Sequence, residues 1–245
     1  MSAKLLNELA PNGVLRVGLN MANFLLVSGK KSNGDPDGVS PDMARAIAEK
    51  LGVECEFIPF VGPGEVADAA VKDVWDIGNI AAEPERAKTI DFTRAYCEIQ
   101  ATYLVPADST IQSLSDVDVA GNRIAVKNRA AYDLWLTENL LHASLVKASG
   151  MDESFELFKA QKLDVLAGLR PKLLELQSQL PGSWVMDESF TAVQQSIGCR
   201  QGRPLAASYL QNFVQESISN GFVKSLIKKH AVEGRLSVAP LLGNP

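Results

Sequence analysis

The sequence is poor in the residues that build metal centres and disulfide frameworks. It has three cysteines and two histidines in 245 residues. Cys55, Cys97 and Cys199 stand alone, with no C-x-x-C pair, which argues against both a zinc site and a set of disulfides. His142 and His230 fall in predicted helices without a second ligand at metal spacing. We therefore expect no metal and no cofactor.

Long apolar runs and excess positive charge are also missing. No run approaches the roughly 20 apolar residues that a membrane-spanning helix needs, and the N-terminal stretch has neither the apolar region nor the small-residue cleavage site of a secretory signal. Lys and Arg number 24 against 29 Asp and Glu, a net charge of −5. The sequence thus predicts no membrane insertion and no nucleic acid as partner.

The composition that remains is that of an ordinary soluble globular protein. Apolar residues make up 46% of the chain and charged residues 22%, and both values are typical of folded domains. A chain of 245 residues is long enough for one large domain or two small ones, each with a real core.

The predicted secondary structure repeats a β-α-β-α-β order. The first set comprises strands at 14–18, 53–60 and 77–82 and helices at 41–51 and 65–72. Ser40 is predicted to cap the first of these helices, which has an apolar stripe and is ended by Gly52. The second set comprises strands at 123–126, 144–147 and 163–167 and helices at 130–141 and 154–160. This order predicts an α/β fold with parallel strands and right-handed crossovers in each set.

Two further strands, at about 101–106 and 192–198, are predicted to connect the sets. We expect a first lobe of residues 1–101 and 197–245 and a second lobe of residues 102–196, joined by a two-strand hinge. A cleft at such a junction, beside the carboxyl ends of the strands, is where small ligands bind.

An arginine follows the strand predicted at 77–82. Pro84 suits the first turn of a short helix, because its missing N–H is harmless there, and this places Arg86 beside the strand end. A guanidinium at that point can offer a bidentate fork to a carboxylate, with backbone N–H groups of the turn close by. The alternative is a surface ion pair of Arg86 with Glu83, Glu85 or Asp91.

The residue pattern of this stretch resembles a ligand-binding segment of a known family. In the amino-acid class of bacterial extracellular solute-binding proteins, family 3, a Pro-Glu-Arg-Ala motif is followed by Asp-Phe-Ser/Thr and an aromatic residue. The matching residues here are Pro84, Glu85, Arg86, Ala87, Asp91, Phe92, Thr93 and Tyr96. The resemblance extends over about 14–238 and implies a two-lobed type II periplasmic-binding-protein fold, in which Arg86 holds a ligand carboxylate.

The resemblance also implies ligand contacts elsewhere in the first lobe. The loop after the first strand lies at the mouth of the cleft in the family, so Asn20 and Asn23 are predicted to supply polar groups and Phe24 an aromatic wall. The alternative is that both asparagines satisfy the backbone of the turn. Asn79 and Ala81, in the strand before Arg86, complete the predicted site of this lobe.

In the second lobe the family presents a Gly-Thr-Thr or Gly-Ser-Thr loop before a helix. The matching segment here is Lys-Asn-Arg-Ala-Ala at 127–131. It lacks the hydroxyl side chains of the family loop and contains two cationic residues, Lys127 and Arg129. Backbone N–H groups of Ala130 and Ala131 are predicted to bind an anion through the helix dipole. Arg129 or Lys127 would add charge, although a solvated surface arginine is the alternative for Arg129.

The family pattern Gly-x-x-Asp-Ala-x-x-x-Asp supplies an aspartate to the α-ammonium group of the ligand. Asp164 matches the first aspartate, and Gly168 is predicted to stand where the ammonium partner belongs. An unpaired ammonium in a closed cleft is costly, so we hypothesise a carboxylate ligand without a free α-amino group, with a second anionic or polar end near Arg129 or Arg170. Four residues could still replace the lost carboxylate: Asp187, Glu188, Gln194 and Gln195.

The resemblance implies a monomeric, non-enzymatic protein that closes on its small carboxylate ligand by hinge bending and delivers it to the permease of an ABC transporter. It also implies the periplasm, whereas the absence of a signal peptide leaves the cytoplasm open. Two different functions stand beside this interpretation. One is a cyclohexadienyl-dehydratase-like enzyme on the same fold, and the second is a cytoplasmic ligand sensor.

Overall fold

The computed structural model describes residues 2–240, which divide into two compact units. Unit 1 comprises the chain up to Glu98 and again from Gln194, and unit 2 is Ile99–Val193. Both boundaries lie three residues before the predicted ones. Unit 1 is therefore built from the two ends of the chain and unit 2 from its middle.

The elements follow the predicted α/β alternation. The strands are β1 (Val14–Asn20), β2 (Gly29–Lys30), β3 (Pro36–Asp37), β4 (Glu54–Phe60), β5 (Ile77–Ala81), β6 (Ile90–Phe92), β7 (Cys97–Val105), β8 (Arg123–Lys127), β9 (Ser144–Ala148), β10 (Val165–Leu169), β11 (Trp184–Val185), β12 (Thr191–Arg200) and β13 (Ser237–Val238). The helices are α1 (Ala3–Leu9), α2 (Val39–Leu51), α3 (Pro63–Ala69), α4 (Ala131–Asn139), α5 (Met151–Ala160), α6 (Arg170–Gln177), α7 (Pro204–Ser219) and α8 (Phe222–Lys229). Among the described helices none is long and apolar enough to cross a membrane.

The sheet of unit 1 has the order β4-β1-β5-β12. Strand β1 pairs in parallel with both β4 and β5, while β12 runs antiparallel to β5 and also pairs with β6. The parallel β-α-β arrangement predicted for this unit is confirmed. Because parallel strands end at the same edge, the ends of β1 and β5 lie at one edge of the sheet.

The two faces of β5 are covered by different elements. Built Cβ positions at Gly18 and Gly78 would lie 2.8 and 3.1 Å from the ring of Trp75, whose Nε1 donates to the carbonyl of Val66 in α3 at 2.9 Å. Gly78 therefore faces the Trp75 side. Side chains alternate along a strand. Asn79, and with it Ile77 and Ala81, therefore faces the opposite side, towards α2.

Helix α2 starts at Val39, before its predicted cap. Gly38 precedes it with φ +146°, and a Cβ there would lie 2.2 Å from the carbonyl oxygen of Leu26, so only glycine fits. The expectation that Ser40 caps the helix is wrong, because Ser40 lies within α2 and its side chain is hydrogen-bonded by Asn79. The buried stripe of the helix is Val39, Met43, Ile47 and Leu51.

In unit 2, β8 pairs in parallel with β9 and β10, and β7 runs antiparallel to β10. One face of this sheet carries the apolar core under α5 and α6, formed by Leu104, Ala125, Phe155, Phe158, Leu163, Leu166, Leu173, Leu176 and Val185. The neighbouring residue Tyr103 points to the other face, where its ring centroid lies 4.6 Å from that of Phe190. Trp135 of α4 packs 5.4 Å from Phe190.

The helix predicted at 130–141 is shorter in the structure and ends at Asn139. His142 lies beyond it, in a loop whose backbone N–H groups at Leu141, His142 and Ala143 donate to the Asp118 carboxylate at 2.9, 2.8 and 2.8 Å. Three hydrogen bonds from consecutive N–H groups to one carboxylate favour the loop over a further helical turn. The prediction that His142 is helical is wrong for this reason.

Candidate functional site

Arg86 is buried directly after β5. It begins a short 3-10 helix, Arg86–Lys88, and is 4% exposed. Its Nη1 donates to the carbonyl of Ala81, the last residue of β5, at 2.8 Å. Glu85, one of the proposed surface partners, instead forms an ion pair with Lys88. The arginine is thus held against the end of the strand rather than spread over the surface.

The loop after β1 brings amide groups to the same edge of the sheet. Asn20 Oδ1 accepts the N–H of Ala22 at 3.1 Å, and Asn23 Oδ1 accepts that of Leu25 at 3.3 Å. The oxygens therefore satisfy the backbone of the turn, as the second interpretation of these residues expects. The Nδ2 groups of both asparagines make no hydrogen bond to any residue within 2–240. Phe24 beside them is half-buried.

Asn79 occupies a different place from the predicted one. It is 2% exposed, and its Nδ2 donates to the carbonyl and to Oγ of Ser40 in α2 at 3.0 and 2.8 Å. The Tyr96 hydroxyl also donates to Ser40 Oγ, at 3.3 Å, and burial raises the pKa of Tyr96 well above its ordinary value. Asn79 is therefore part of an internal polar cluster, because the alternation of β5 turns it towards α2.

The loop before α4 binds a carboxylate of its own chain. Arg129 has φ +59°, and its N–H donates to Asp133 Oδ2 at 2.7 Å. Asp133 is fully buried, and Lys147 Nζ lies 2.8 Å from its Oδ1. Part of the positive potential at the start of this helix is thus already balanced by Asp133.

The predicted amide donors of unit 2 flank this carboxylate. Ala130 and Ala131 are 5% and 7% exposed at the start of α4. The N–H of Ala130 donates to the Lys127 carbonyl at 3.3 Å, a long hydrogen bond for an amide. The side chain of Arg129 is exposed. These residues stay candidates for the anion-binding loop of unit 2.

Gly168 faces the core of unit 2 and not a ligand. It pairs with Thr102 of β7, and a Cβ at Gly168 would lie 3.0 Å from Leu173 Cδ2 on α6. The aspartates of the family pattern are five positions apart, which brings Leu169 rather than Gly168 into register with the second one. Leu169 is 7% exposed and apolar. The assignment of Gly168 is therefore corrected, although the ammonium partner is missing at Leu169 as well.

Arg170, proposed as a receptor for a second anionic group, is committed to its own unit. Its Nε donates to Gln100 Oε1 at 2.7 Å and its Nη1 to the carbonyl of Met186 at 2.7 Å. Its Nη2 donates to the carbonyl of Asp187 at 2.6 Å and to Ser189 Oγ at 3.1 Å. With every guanidinium nitrogen engaged, Arg170 fixes a loop and has no role as a ligand receptor.

One group of described residues has the geometry of a metal site. Donor atoms of Asp37, Asp42 and His230 lie within 4.8 Å of one another. Asp42 nevertheless already accepts from Lys229 at 2.7 Å, from His230 at 2.8 Å and from Arg45 at 2.9 Å. Burial tends to raise the pKa of Asp42, but these hydrogen bonds lower it to about 2. A cation would have to displace basic side chains, so the group serves as an ion-pair cluster.

Gln195 is one of the four residues that could replace the lost carboxylate, and its position in the structure makes it a candidate for the site. It is 3% exposed on β12 and lies opposite Ala81 of β5. In the sequence, Gln195 alternates with the apolar residues Ile197 and Cys199, which indicates an inward-facing strand position. Its place opposite Ala81 depends on the pairing of β12 with β5, which only the fold shows. Asp187 and Glu188, which belong to the same set of four, are exposed.

Several known proteins are similar to this chain. A glutamine-binding protein of Geobacillus stearothermophilus is 26% identical over 204 residues, which cover 79% of this chain and 75% of the relative. An ancestral amino acid-binding protein, a precursor of cyclohexadienyl dehydratase, has a crystal structure with 26% identity and a TM-score of 0.71 over 91% of this chain and 98% of its own.

A third protein shares the fold. It is the substrate-binding protein of an amino acid ABC transporter from Streptococcus pneumoniae, bound to L-arginine, with 22% identity and a TM-score of 0.72 over 96% of this chain and 99% of its own. The family model described as bacterial extracellular solute-binding proteins, family 3, matches residues 15–233. With its two α/β units and the buried arginine after β5, the chain belongs to that family.

Proposed function

We propose that this protein binds a small carboxylate-bearing solute through Arg86, as the substrate-binding component of an ABC-type uptake system. The observation that carries the proposal is the buried guanidinium at the end of β5, oriented by the Ala81 carbonyl. A carboxylate that meets such a fork gains charge-assisted, bidentate hydrogen bonds in a site of low water content. The amide groups of Asn20 and Asn23 at the same edge add neutral donors.

The ligand class proposed is a carboxylate without an α-ammonium group. The position that would hold the ammonium partner carries the apolar Leu169. Asp187 and Glu188 are exposed, and their backbone carbonyls accept from Arg170 at 2.6 Å and Thr102 at 2.5 Å. An ammonium group placed in a dry site without a carboxylate costs several kcal/mol, roughly the effective penalty for an unpaired buried ion.

Matched pairs of acids test this ligand class. Isothermal titration would compare L-glutamine with glutaramate, and L-arginine with 5-guanidinopentanoate, because each pair differs only in the α-ammonium group. We expect the deaminated acid to bind more tightly in each pair. Tighter binding of the amino acids would reject the ligand class while leaving carboxylate binding intact, and no binding by any acid would reject the function.

We also propose that the protein is a monomer and hands its ligand to a membrane permease. Hinge closure on the ligand stays a prediction, in which binding shifts an existing equilibrium between open and closed arrangements. Small-angle X-ray scattering with and without a bound acid would detect closure as a fall in the radius of gyration. A radius that does not change under saturating ligand would count against it.

The absence of catalysis is likewise a proposal. The similarity to a precursor of cyclohexadienyl dehydratase gives the enzyme alternative a specific substrate to test. We expect incubation with prephenate or arogenate to change ultraviolet absorbance no faster than in buffer. Turnover above the buffer rate would replace binding by dehydration as the function.

A further inference from the structure

The register between β5 and β12 places Gln195 at the strand end that holds Arg86. Gln195 lies directly opposite Ala81, and Ile197 directly opposite Asn79. Residues that face each other across antiparallel strands share one face of the sheet. Since Asn79 points to α2, the side chain of Gln195 also lies on the α2 face, next to the residue whose carbonyl holds Arg86.

The opposite face agrees with this assignment. Gly198 pairs with Gly78, and a Cβ at Gly198 would lie 2.3 Å from Ile90 Cγ2. Ile90 belongs to the core cluster around Trp75. Gly198 therefore faces the Trp75 side, and Gln195, three residues earlier on an alternating strand, faces away from it.

The side-chain amide of Gln195 has no hydrogen-bond partner within residues 2–240, and unlike Asn79 Oδ1 it is not sealed from solvent. The residue is 3% exposed, and within the described part of the chain its amide donates to nothing and accepts from nothing, whereas its backbone carbonyl accepts the Tyr96 N–H at 2.9 Å. The nitrogens of nearby amides are paired: Asn79 Nδ2 with Ser40 Oγ at 2.8 Å and Gln194 Nε2 with Glu98 Oε2 at 2.9 Å. The Gln195 amide therefore keeps its donor and its acceptor available for a ligand.

We propose that Gln195 is a ligand-binding residue that reads the substituent next to the carboxylate held by Arg86. An amide offers one donor group and one acceptor and carries no charge, so it suits a hydroxyl or keto oxygen and cannot neutralise an ammonium group. The ligand class that follows is a 2-hydroxy or 2-oxo acid. This inference rests on the proposed function and refines its ligand class.

The first test uses the variant Gln195→Met, which keeps the length of the side chain and removes its hydrogen-bonding groups. It asks whether the preference for a 2-oxo acid over the unsubstituted acid is lost. Titration would compare glutaramate with 2-oxoglutaramate, and 5-guanidinopentanoate with its 2-oxo form. The wild-type protein should favour the 2-oxo acid by about tenfold, as expected for one additional hydrogen bond. In Gln195→Met the preference should vanish, while binding of the unsubstituted acid changes little.

The second test is the stability of the ligand-free protein. Gln195→Met should melt within about 1 °C of the wild-type protein, because the substitution removes no hydrogen bond within the chain. Gln194→Met is the matched control, because its amide is paired with Glu98. We expect this control to melt lower and to retain the preference for the 2-oxo acid.

Three outcomes would overturn the assignment. A 2-oxo preference that survives in Gln195→Met would show that another residue reads the substituent. A melting temperature several degrees below wild type would show that the amide is structural. If no acid binds the wild-type protein, the proposed function fails and this assignment with it, whereas the first two outcomes leave the function standing.

Discussion

Two arginines follow buried strand ends, one in each unit, and they differ in what holds them. Arg170 comes directly after β10 and gives all its guanidinium nitrogens to four acceptors of unit 2. Arg86 follows β5 through a short turn, is 4% exposed, and is oriented by the carbonyl of the strand it follows. Position after a strand therefore does not define a ligand residue, because a guanidinium with all its nitrogens bound to acceptors of its own unit, as in Arg170, serves the fold.

The largest effect that separates the two arginines is expected from Arg86→Ala. Ligand affinity should fall by about 2–4 kcal/mol, because a desolvated charged pair loses one member, while the melting temperature changes little. Titration with the tightest-binding acid of the matched pairs, beside a thermal melt, measures both. Arg86→Lys is the control that keeps the charge without the fork and should recover only part of the affinity. Unchanged affinity with an intact melt would show that Arg86 does not hold the ligand.

Arg170→Ala should show the reverse pattern. We expect the free energy of unfolding to fall by about 2–3 kcal/mol, since several hydrogen bonds from a charged group are lost together, with ligand affinity at low temperature retained. Arg123→Ala is the milder control, because the exposed Arg123 side chain donates only to the carbonyls of Gln161 and Lys162 at 3.1 Å. Loss of binding by a well-folded Arg170→Ala protein would contradict the contrast.

Each unit also buries an aspartate in the first turn of a helix, Asp42 in α2 and Asp133 in α4. Asp42 has a pKa of about 2, below its ordinary value of 3.8. A lowered pKa means that its stabilisation is complete above about pH 4 and is lost as the pH falls towards 2. Asp42→Asn should therefore cost about 2 kcal/mol at neutral pH, and the gap to wild type should close near pH 2.

Denaturant titrations between pH 7 and pH 2 measure this gap. Asp152→Asn is a suitable control, because its carboxylate is 80% exposed although it lies 3.2 Å from Lys172. Exposed pairs contribute little, so this control should track the wild-type protein at every pH. A constant deficit of Asp42→Asn down to pH 2 would show that the ionised carboxylate is not the source of the stabilisation.

The smallest expected effect is on stability and concerns Arg129, in the loop before α4 of unit 2. Its substitution also tests whether this loop binds ligand, as Arg86 of unit 1 is proposed to do. Arg129 has φ +59°, a left-handed conformation that costs non-glycine residues about 1 kcal/mol or more. Arg129→Gly should therefore raise the free energy of unfolding by about 1 kcal/mol. Chemical denaturation measures this, and a parallel titration shows whether the side chain contributes to binding. A less stable glycine variant would mean that the side-chain contacts outweigh the strain.

Local patterns in the sequence are sufficient for much of the fold. The apolar stripe and the terminal Gly52 predict α2, and the alternation after it predicts β4. The Pro-Glu-Arg-Ala motif also places Arg86 after a strand, where the structure has it. These features depend on residues close together in the chain, so a single sequence contains the information.

The features that the sequence could not supply depend on distant partners. The local pattern predicts Ser40 as the cap of α2, but Gly38 takes that place, where the carbonyl of Leu26 leaves no room for a Cβ. The orientation of Gly168 is decided by Leu173 on the helix that covers it. The face on which Gln195 lies depends on its register with Ala81, which no local pattern encodes.

The discontinuity of unit 1 has a consequence for how the protein is made. Its two ends are joined by long-range contacts, among them Glu8 Oε2 with the N–H of Ala206 at 2.8 Å and Lys50 with Glu216 at 3.0 Å. During translation, Ile99–Val193 emerges as a continuous segment before β12, α7 and α8 have been synthesised. Non-local contacts form slowly, so the nascent chain holds an unfinished β1–β5 sheet until the segment from Gln194 onward leaves the ribosome. The unfinished sheet exposes an unpaired strand edge during that time, which makes it prone to misassembly.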